Sequence, residues 1–237
     1  MLRALLGILR THDPLQAIGE CFERMLTLTL EMTLSAGEIA FGGDASPARR
    51  TEVYERDVEV NQLERAIRKR VVAHLSIPGS RVDVPHCLLL MSLAKDVERL
   101  GDYAKNLAEL VEFQSGARSD DKIVGELHEI RSGVEAAFRA TSEIFRSSDR
   151  EQAMQMIRQG RDIAHRCDVL ITRIGQAGYD GQTTTSLVLA TRFYKRIGGH
   201  VLNVLSSVVM PLHKIDYYDE DEVDESGSVP DDSVLDS

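Results

Sequence analysis

Five side chains with oxygen ligands, placed on two consecutive predicted helices, are the part of this sequence best suited to chemistry. They are Asp57, Asn61 and Glu64 on one helix and Glu98 and Asp102 on the next. At about 100° per residue, both groups fall on the same flank of the apolar stripe, and these flanks adjoin in an antiparallel hairpin. Both also lie 13 or 14 residues from the connecting turn. We therefore expect the five residues to converge on one surface, called here the first ledge.

Carboxylates gathered in this way repel one another unless cations neutralise them. All-oxygen ligand sets suit divalent metals, so the first ledge is a candidate site for an ion of the iron, zinc, manganese or magnesium class. The alternative is that the acids pair with basic side chains at helical spacing, for which Arg68 and Lys105 are suitably placed. The residue pattern leaves both interpretations open. Asp96 falls on the opposite edge of its helix and is not expected to be a ligand.

The spacing of apolar residues predicts an all-α protein. The chain has 237 residues and six prolines, and between the prolines apolar residues recur every three or four positions, the period of a helix with one buried face. The predicted helices span approximately residues 15–40, 47–75, 84–114, 123–146, 149–176 and 184–210. They form two sets of three, separated by a polar linker, and this arrangement favours two tandem three-helix bundles.

An internal repeat supports this organisation. Arg99–Asn106 aligns with Arg196–Asn203 at an offset of 97 residues and keeps Arg, an apolar residue, Gly and Asn in place. Gly101 and Gly198 correspond, and we expect both to mark helix contacts too close for a Cβ atom. The predicted units are a short amphipathic segment (1–14), a first repeat (15–115), a second repeat (120–213) and a disordered acidic tail (215–237).

The two repeats differ at the ledge. Lys195 stands where the first repeat has Glu98, and Gly199 stands where it has Asp102. An ammonium group repels a divalent cation and offers no lone pair. We therefore expect the second repeat to be free of metal at this place, or to attract an anion.

The charge and cysteine content limit the classes of function that this chain can have. The net charge is -10, but ten of the 38 acids follow Lys214, so the preceding residues carry 28 acids and 28 bases. The acidity therefore says nothing about partners of the folded body. Three cysteines without a CxxC pair suit a reducing compartment, and the predicted location is the cytoplasm. No nucleotide-binding or hydrolase motif is present, so we predict no catalytic residues, no bound organic cofactor and no nucleic-acid partner.

The segment from Asp96 to Glu109, DVERLGDYAKNLAE, resembles the signature of the PhoU family of regulators of bacterial phosphate uptake. In that family an acidic residue and an aspartate four positions later recur on tandem three-helix repeats. The resemblance implies surface metal clusters and a non-enzymatic cytoplasmic adaptor role between a phosphate ABC transporter and a sensor histidine kinase. A second copy of the chain is a further candidate partner, and the contact with membranes is at most peripheral.

Carried over to this sequence, the family's acidic pairs fall on Asp57 with Asn61 and on Glu98 with Asp102. Asn61 departs from the family's aspartate, which implies a weaker site or one with fewer metals. The alternatives are a carboxylate-bridged metalloenzyme of the helical-bundle type and a metal-independent helical scaffold. Asp162 and His165 have the spacing of di-iron proteins, but such enzymes need a second copy, which the sequence lacks.

Overall fold

The computed structural model describes residues 14–42, 45–113 and 121–215. These residues form six α-helices and no β-strand. The helices are α1 (Pro14–Ala40), α2 (Pro47–Leu75), α3 (Val84–Glu109), α4 (Lys122–Ser147), α5 (Arg150–Gln176) and α6 (Gly181–Val209). The all-α prediction is confirmed. The N-terminal segment up to residue 13, most of the polar linker and the acidic tail from residue 216 lie outside the described residues.

Local signals in the sequence set where the helices begin. Pro47 begins α2 and Pro85 lies in the first turn of α3, where the missing amide hydrogen has no helical partner to lose. The helices of the second repeat begin with aspartate caps. The side chains of Asp121, Asp149 and Asp180 each accept a hydrogen bond from a backbone amide in the first turn. The predicted third helix ends earlier than expected, at Glu109, and continues as a 3₁₀ turn over Leu110–Glu112.

Each repeat buries the apolar stripe of its three helices, and the two third helices, α3 and α6, pack against each other between the repeats. One polar cluster lies in this contact. The carboxylate of Asp96, which is buried, accepts hydrogen bonds from the His200 ring at 2.8 Å and from the Asn203 amide at 2.7 Å. Tyr103 stacks on His200 beside this cluster. Asp96 thus points away from the first ledge, as its helical angle predicts, and joins the repeats.

A second link between the repeats depends on a glycine that the sequence pattern does not single out. Arg131 on α4 donates to the Gly37 carbonyl of α1 at 3.1 Å and also pairs with Glu38. A Cβ added to Gly37 would lie 2.6 Å from the Tyr194 hydroxyl and 3.0 Å from the Arg131 guanidinium. Tyr194 is completely buried and cannot move aside. The backbone of α1 can approach the second repeat here only because residue 37 has no side chain.

The expectation that Gly101 and Gly198 exclude a Cβ atom is wrong. A Cβ at Gly101 would lie 3.4 Å from an Asp57 carboxylate oxygen and 3.5 Å from Met32, and one at Gly198 would lie 3.5 Å from Val134. These are ordinary van der Waals distances, so alanine fits at both positions. The helices approach closely at these places, but the space is large enough for a methyl group.

Two matched substitutions separate these cases. Gly37→Ala should lower the free energy of unfolding by about 1 to 3 kcal/mol, because the new methyl group overlaps a fixed tyrosine hydroxyl. Gly101→Ala should be neutral or stabilising by up to about 1 kcal/mol, because alanine is the better helix former and its methyl group has room. Urea denaturation of both variants measures the two values. Equal destabilisation by the two substitutions would contradict this assignment of the close contact.

Candidate functional site

The first ledge is arranged around a lysine. The Lys105 ammonium on α3 lies 2.8 Å from Oδ2 of Asp57 on α2 and 3.1 Å from Oδ1 of Asp102, one turn before it on α3. The Asn61 amide donates to the same Asp57 oxygen at 3.1 Å. Asp57 is buried and Asp102 is about one-third exposed. Helices α2 and α3 therefore bring three of the five predicted residues together, and Lys105 joins them.

The remaining two predicted residues have other partners. Glu98 pairs with Lys95 at 2.6 Å and approaches Arg99 at 4.0 Å. Glu64 is buried and accepts a hydrogen bond from Arg68 at 2.6 Å. Within residues 14–42, 45–113 and 121–215, no hydrogen bond or ion pair links either glutamate to Asp57, Asn61 or Asp102. The ion-pair alternative thus describes the side-chain arrangement of the ledge, with Lys105 bridging two helices as well as spanning one turn.

The ligand atoms of the first ledge suit a hard metal cation, but the Lys105 ammonium is already in place among them. Two carboxylates and an amide are the ligand types that divalent metals take from proteins. The Lys105 ammonium occupies the position between the two aspartates where such an ion would bind, so a metal would have to displace it. In the described part of the chain, no group of three or more His, Cys, Asp or Glu side chains is arranged to hold a metal as it stands.

The second oxygen of Asp57 faces the interior. Oδ1 is buried and has no hydrogen-bond partner among the described residues, and a Cβ added to Gly101 would lie 3.4 Å from it. A buried acceptor without a donor is costly, so the two contacts to the other oxygen are what stabilise the Asp57 carboxylate in this position. Lys105 supplies the only positive charge within 4.0 Å of this carboxylate in the described residues.

The same contacts change the pKa of Lys105. Burial lowers the pKa of the ammonium, but hydrogen bonds to Asp57 and Asp102 outweigh this effect and raise the pKa above its ordinary value. The lysine therefore stays charged at neutral pH, and its contribution to stability is present throughout the neutral range.

The corresponding surface of the second repeat has lost these acids. Lys105 corresponds to Leu202 at the offset of 97, and Leu202 packs beside Gly160 of α5 just as Lys105 contacts Asp57 of α2. This contact aligns α5 with α2 at an offset of 103. The alignment places Gly160, Ala164 and Cys167 where the first repeat has Asp57, Asn61 and Glu64.

Both repeats have a groove at this place, and the grooves differ in size and charge. In the first repeat a groove of about 410 Å³ is lined by residues that include Arg99, Asp102 and Lys105. In the second repeat the groove is about 650 Å³ and is called here the second-repeat groove. Its lining includes Gly160, Ala164 and Gly199, the positions that lost a polar side chain, and has no carboxylate among the described residues.

The first repeat matches a known family. Residues 22–111, which span most of α1 and all of α2 and α3, match the model of the PhoU domain. The first repeat is therefore a PhoU-like domain. The resemblance seen in the Asp96–Glu109 segment is thus confirmed, and the family model covers the helices that carry the first ledge.

Curated relatives and solved structures agree with this family. A phosphate-specific transport system accessory protein PhoU homolog from Caulobacter vibrioides is 30% identical over 107 residues, 45% of each chain. One from Zymomonas mobilis is 34% identical over 67 residues, 28% of this chain and 27% of the relative. This chain therefore matches less than half the length of these PhoU relatives.

The fold extends further than the sequence similarity. The crystal structure of the phosphate transport system regulatory protein PhoU from Streptococcus pneumoniae superposes with a TM-score of 0.71 at 17% identity, covering 92% of this chain and 97% of that one. PhoU from Pseudomonas aeruginosa superposes with a TM-score of 0.65 at 20% identity, covering 90% and 99%. These structures show that the PhoU helical fold spans both repeats.

Two features of the candidate site were not found from the sequence pattern. The bridge from Lys105 to Asp57 joins helices 48 positions apart, and only the packing of α2 on α3 reveals it. The loss of side chains at Gly160 and Ala164 becomes informative only after α5 has been aligned with α2 through contacts.

In the described ranges, no helix is both long and apolar enough to cross a membrane. The three cysteines are buried and unpaired.

Replacing Lys105 by methionine should destabilise the protein by about 1 to 3 kcal/mol at pH 8, because it leaves the buried Asp57 charge without its cation. The pH dependence of this destabilisation follows from the raised pKa of Lys105. The stabilisation by Lys105 is complete below the unfolded value near 10.5 and is lost as pH rises through the higher folded value. Urea unfolding at several pH values should therefore show the difference between wild type and Lys105→Met shrinking above pH ~10.5.

The matched control is Lys95→Met, which removes an exposed lysine from the same helix. The Lys95 side chain is about half exposed, and Glu98 keeps Arg99 at 4.0 Å, so the loss of this pair should cost less than about 1 kcal/mol. Equal effects of the two substitutions at pH 8, or a Lys105→Met effect that grows at high pH, would contradict the role given to Lys105.

Proposed function

We propose that this chain is a non-enzymatic regulator of phosphate uptake and phosphate signalling. The observation that carries the proposal is the PhoU-domain match over residues 22–111. The relatives from Caulobacter vibrioides and Zymomonas mobilis are accessory proteins of a phosphate-specific transport system, which supports the same role. The proposed location is the cytoplasm, and the proposed partners are a phosphate ABC transporter and a sensor histidine kinase, between which the chain acts as an adaptor.

A phosphate-regulated reporter tests this function. In a strain lacking the gene, the difference in reporter output between phosphate-rich and phosphate-poor medium should shrink at least severalfold, and the wild-type gene should restore it. Capturing the tagged kinase and the tagged transporter separately should each recover this chain. An unchanged phosphate response in the deletion strain would contradict the regulatory role, and recovery with neither partner would contradict the adaptor role. Sedimentation of the purified protein tests the proposed pairing of two copies.

A second proposal concerns metal at the first ledge. A divalent or trivalent cation would bind Asp57 and Asp102, with Asn61, Glu64 and Glu98 as the further predicted ligands, and would compete with Lys105 for the two aspartates. The cation would neutralise the carboxylates, as the Lys105 ammonium does in the structure. The ligand types support this proposal. The energetic cost of binding is that the cation must displace the Lys105 ammonium from between the two aspartates.

Elemental analysis and thermal melting with added Mn²⁺ or Zn²⁺ test the competition. Lys105→Met should bind metal at least about tenfold more tightly than wild type, because removing a positive charge near 3 Å favours another cation. Asp57→Asn combined with Asp102→Asn should lose binding. Lys195→Ala, in the second repeat, is the matched control and should behave as wild type. Absence of metal from every variant, Lys105→Met included, would favour the metal-independent scaffold.

A further inference from the structure

The second-repeat groove has the electrostatic character of an anion site. Its lining includes four basic side chains: Arg161 from α5 and Arg192, Lys195 and Arg196 from α6. His200 and Asn203 add polar groups at one wall. No aspartate or glutamate lines the groove among the described residues, whereas the first-repeat groove contains Asp102 and Glu109.

Two of these cations have their charges directed to solvent. Arg192 and Arg196 are exposed, and neither has a carboxylate within 4.0 Å in the part of the chain that the structure describes. Lys195 differs, because it pairs with both oxygens of Asp168 at 2.6 Å. His200 and Asn203 donate to Asp96 and are therefore held in place. The groove thus combines fixed walls with two guanidinium groups that can turn towards a ligand.

A comparison with the first repeat shows which acids this groove lacks. Arg196 corresponds to Arg99, and Arg99 is paired with Asp102 at 3.4 Å. Gly199 stands in place of that aspartate, so Arg196 lacks the partner that Arg99 has. Gly160 stands in place of Asp57 on the facing helix, and Leu202 packs against it. The two changes therefore remove two carboxylates from this surface and leave Arg196 without an acidic partner among the described residues.

We propose that the second-repeat groove binds small molecules that carry phosphate groups. Arginine forms paired hydrogen bonds with the oxygens of tetrahedral oxyanions, and the two guanidinium groups of Arg192 and Arg196 match the charge of a phosphate dianion. The volume of about 650 Å³ lies within the range of about 300–1,000 Å³ of small-molecule sites, so it admits ligands larger than one phosphate ion. Free phosphate, diphosphate and phosphate monoesters share this chemistry.

The lining also limits the selectivity of the site. Because no carboxylate in the described lining can accept the proton of hydrogen phosphate, the groove has no means of distinguishing phosphate from sulfate. Charge then sets the order of affinity, with diphosphate above phosphate and sulfate, and chloride far below them. The affinity should fall as the salt concentration rises.

Titration calorimetry of the full-length protein at constant ionic strength tests this inference. Diphosphate, inorganic phosphate, glycerol phosphate and sulfate are the probes, and sodium chloride is the ionic control. The combined substitution Arg192→Gln and Arg196→Gln should weaken diphosphate binding at least about tenfold, since each change removes a charged hydrogen-bond donor. Both residues are exposed, so thermal melts of this variant should match wild type.

Arg99→Gln is the matched control because Arg99 occupies the equivalent position in the first repeat. It should leave diphosphate binding within about twofold of wild type. Gly199→Asp restores the acid of the first repeat and should abolish binding. The inference is overturned if wild type does not bind diphosphate more tightly than chloride, or if Arg99→Gln weakens binding as much as the groove variant. Because this experiment measures binding directly, a failed reporter test of the regulatory role would not change its result.

Discussion

The packing of α3 against α6 is the constraint on which the rest of the molecule depends. These two helices are the third helices of their repeats, and each lies in the core of its own bundle while contacting the other. Asp96 is a buried acid whose carboxylate accepts hydrogen bonds from His200 and Asn203 of the other repeat. Such a carboxylate must keep its partners, so it fixes how the helices meet. The flank of each helix that bears a ledge is then directed outwards.

Both flanks are exposed at equivalent places. The two repeats share the same arrangement of helices, but the charges on these flanks differ. The first ledge keeps its aspartates and neutralises them with Lys105. The second has glycine at the positions of Asp57 and Asp102 and keeps the arginine. The duplicated fold thus presents an acidic surface, neutralised by a lysine, and a basic groove at matching positions.

The sequence predicted the fold well because the helical period and the prolines act locally. The predicted bounds of α2 coincide with those in the structure, and the aspartate caps explain the starts of α4 to α6. Convergence of Asp57 with Asp102 also followed from helical angles. Helical angles could not show that Lys105 reaches across to α2, that Gly37 touches Tyr194, or that α5 has Gly160 and Ala164 where α2 has Asp57 and Asn61. Each of these depends on the rotamers and axial shifts of packed helices.

The central claim is that equivalent places in the two repeats prefer ions of opposite charge. Anomalous X-ray scattering from crystals of the full-length protein grown with Mn²⁺ or with tungstate, a tetrahedral stand-in for phosphate, tests it most directly. We expect a tungsten peak between Arg192 and Arg196 and none beside Arg99, and we expect any manganese peak at Asp57 and Asp102. Tungsten at both equivalent places, or manganese in the second-repeat groove, would contradict it.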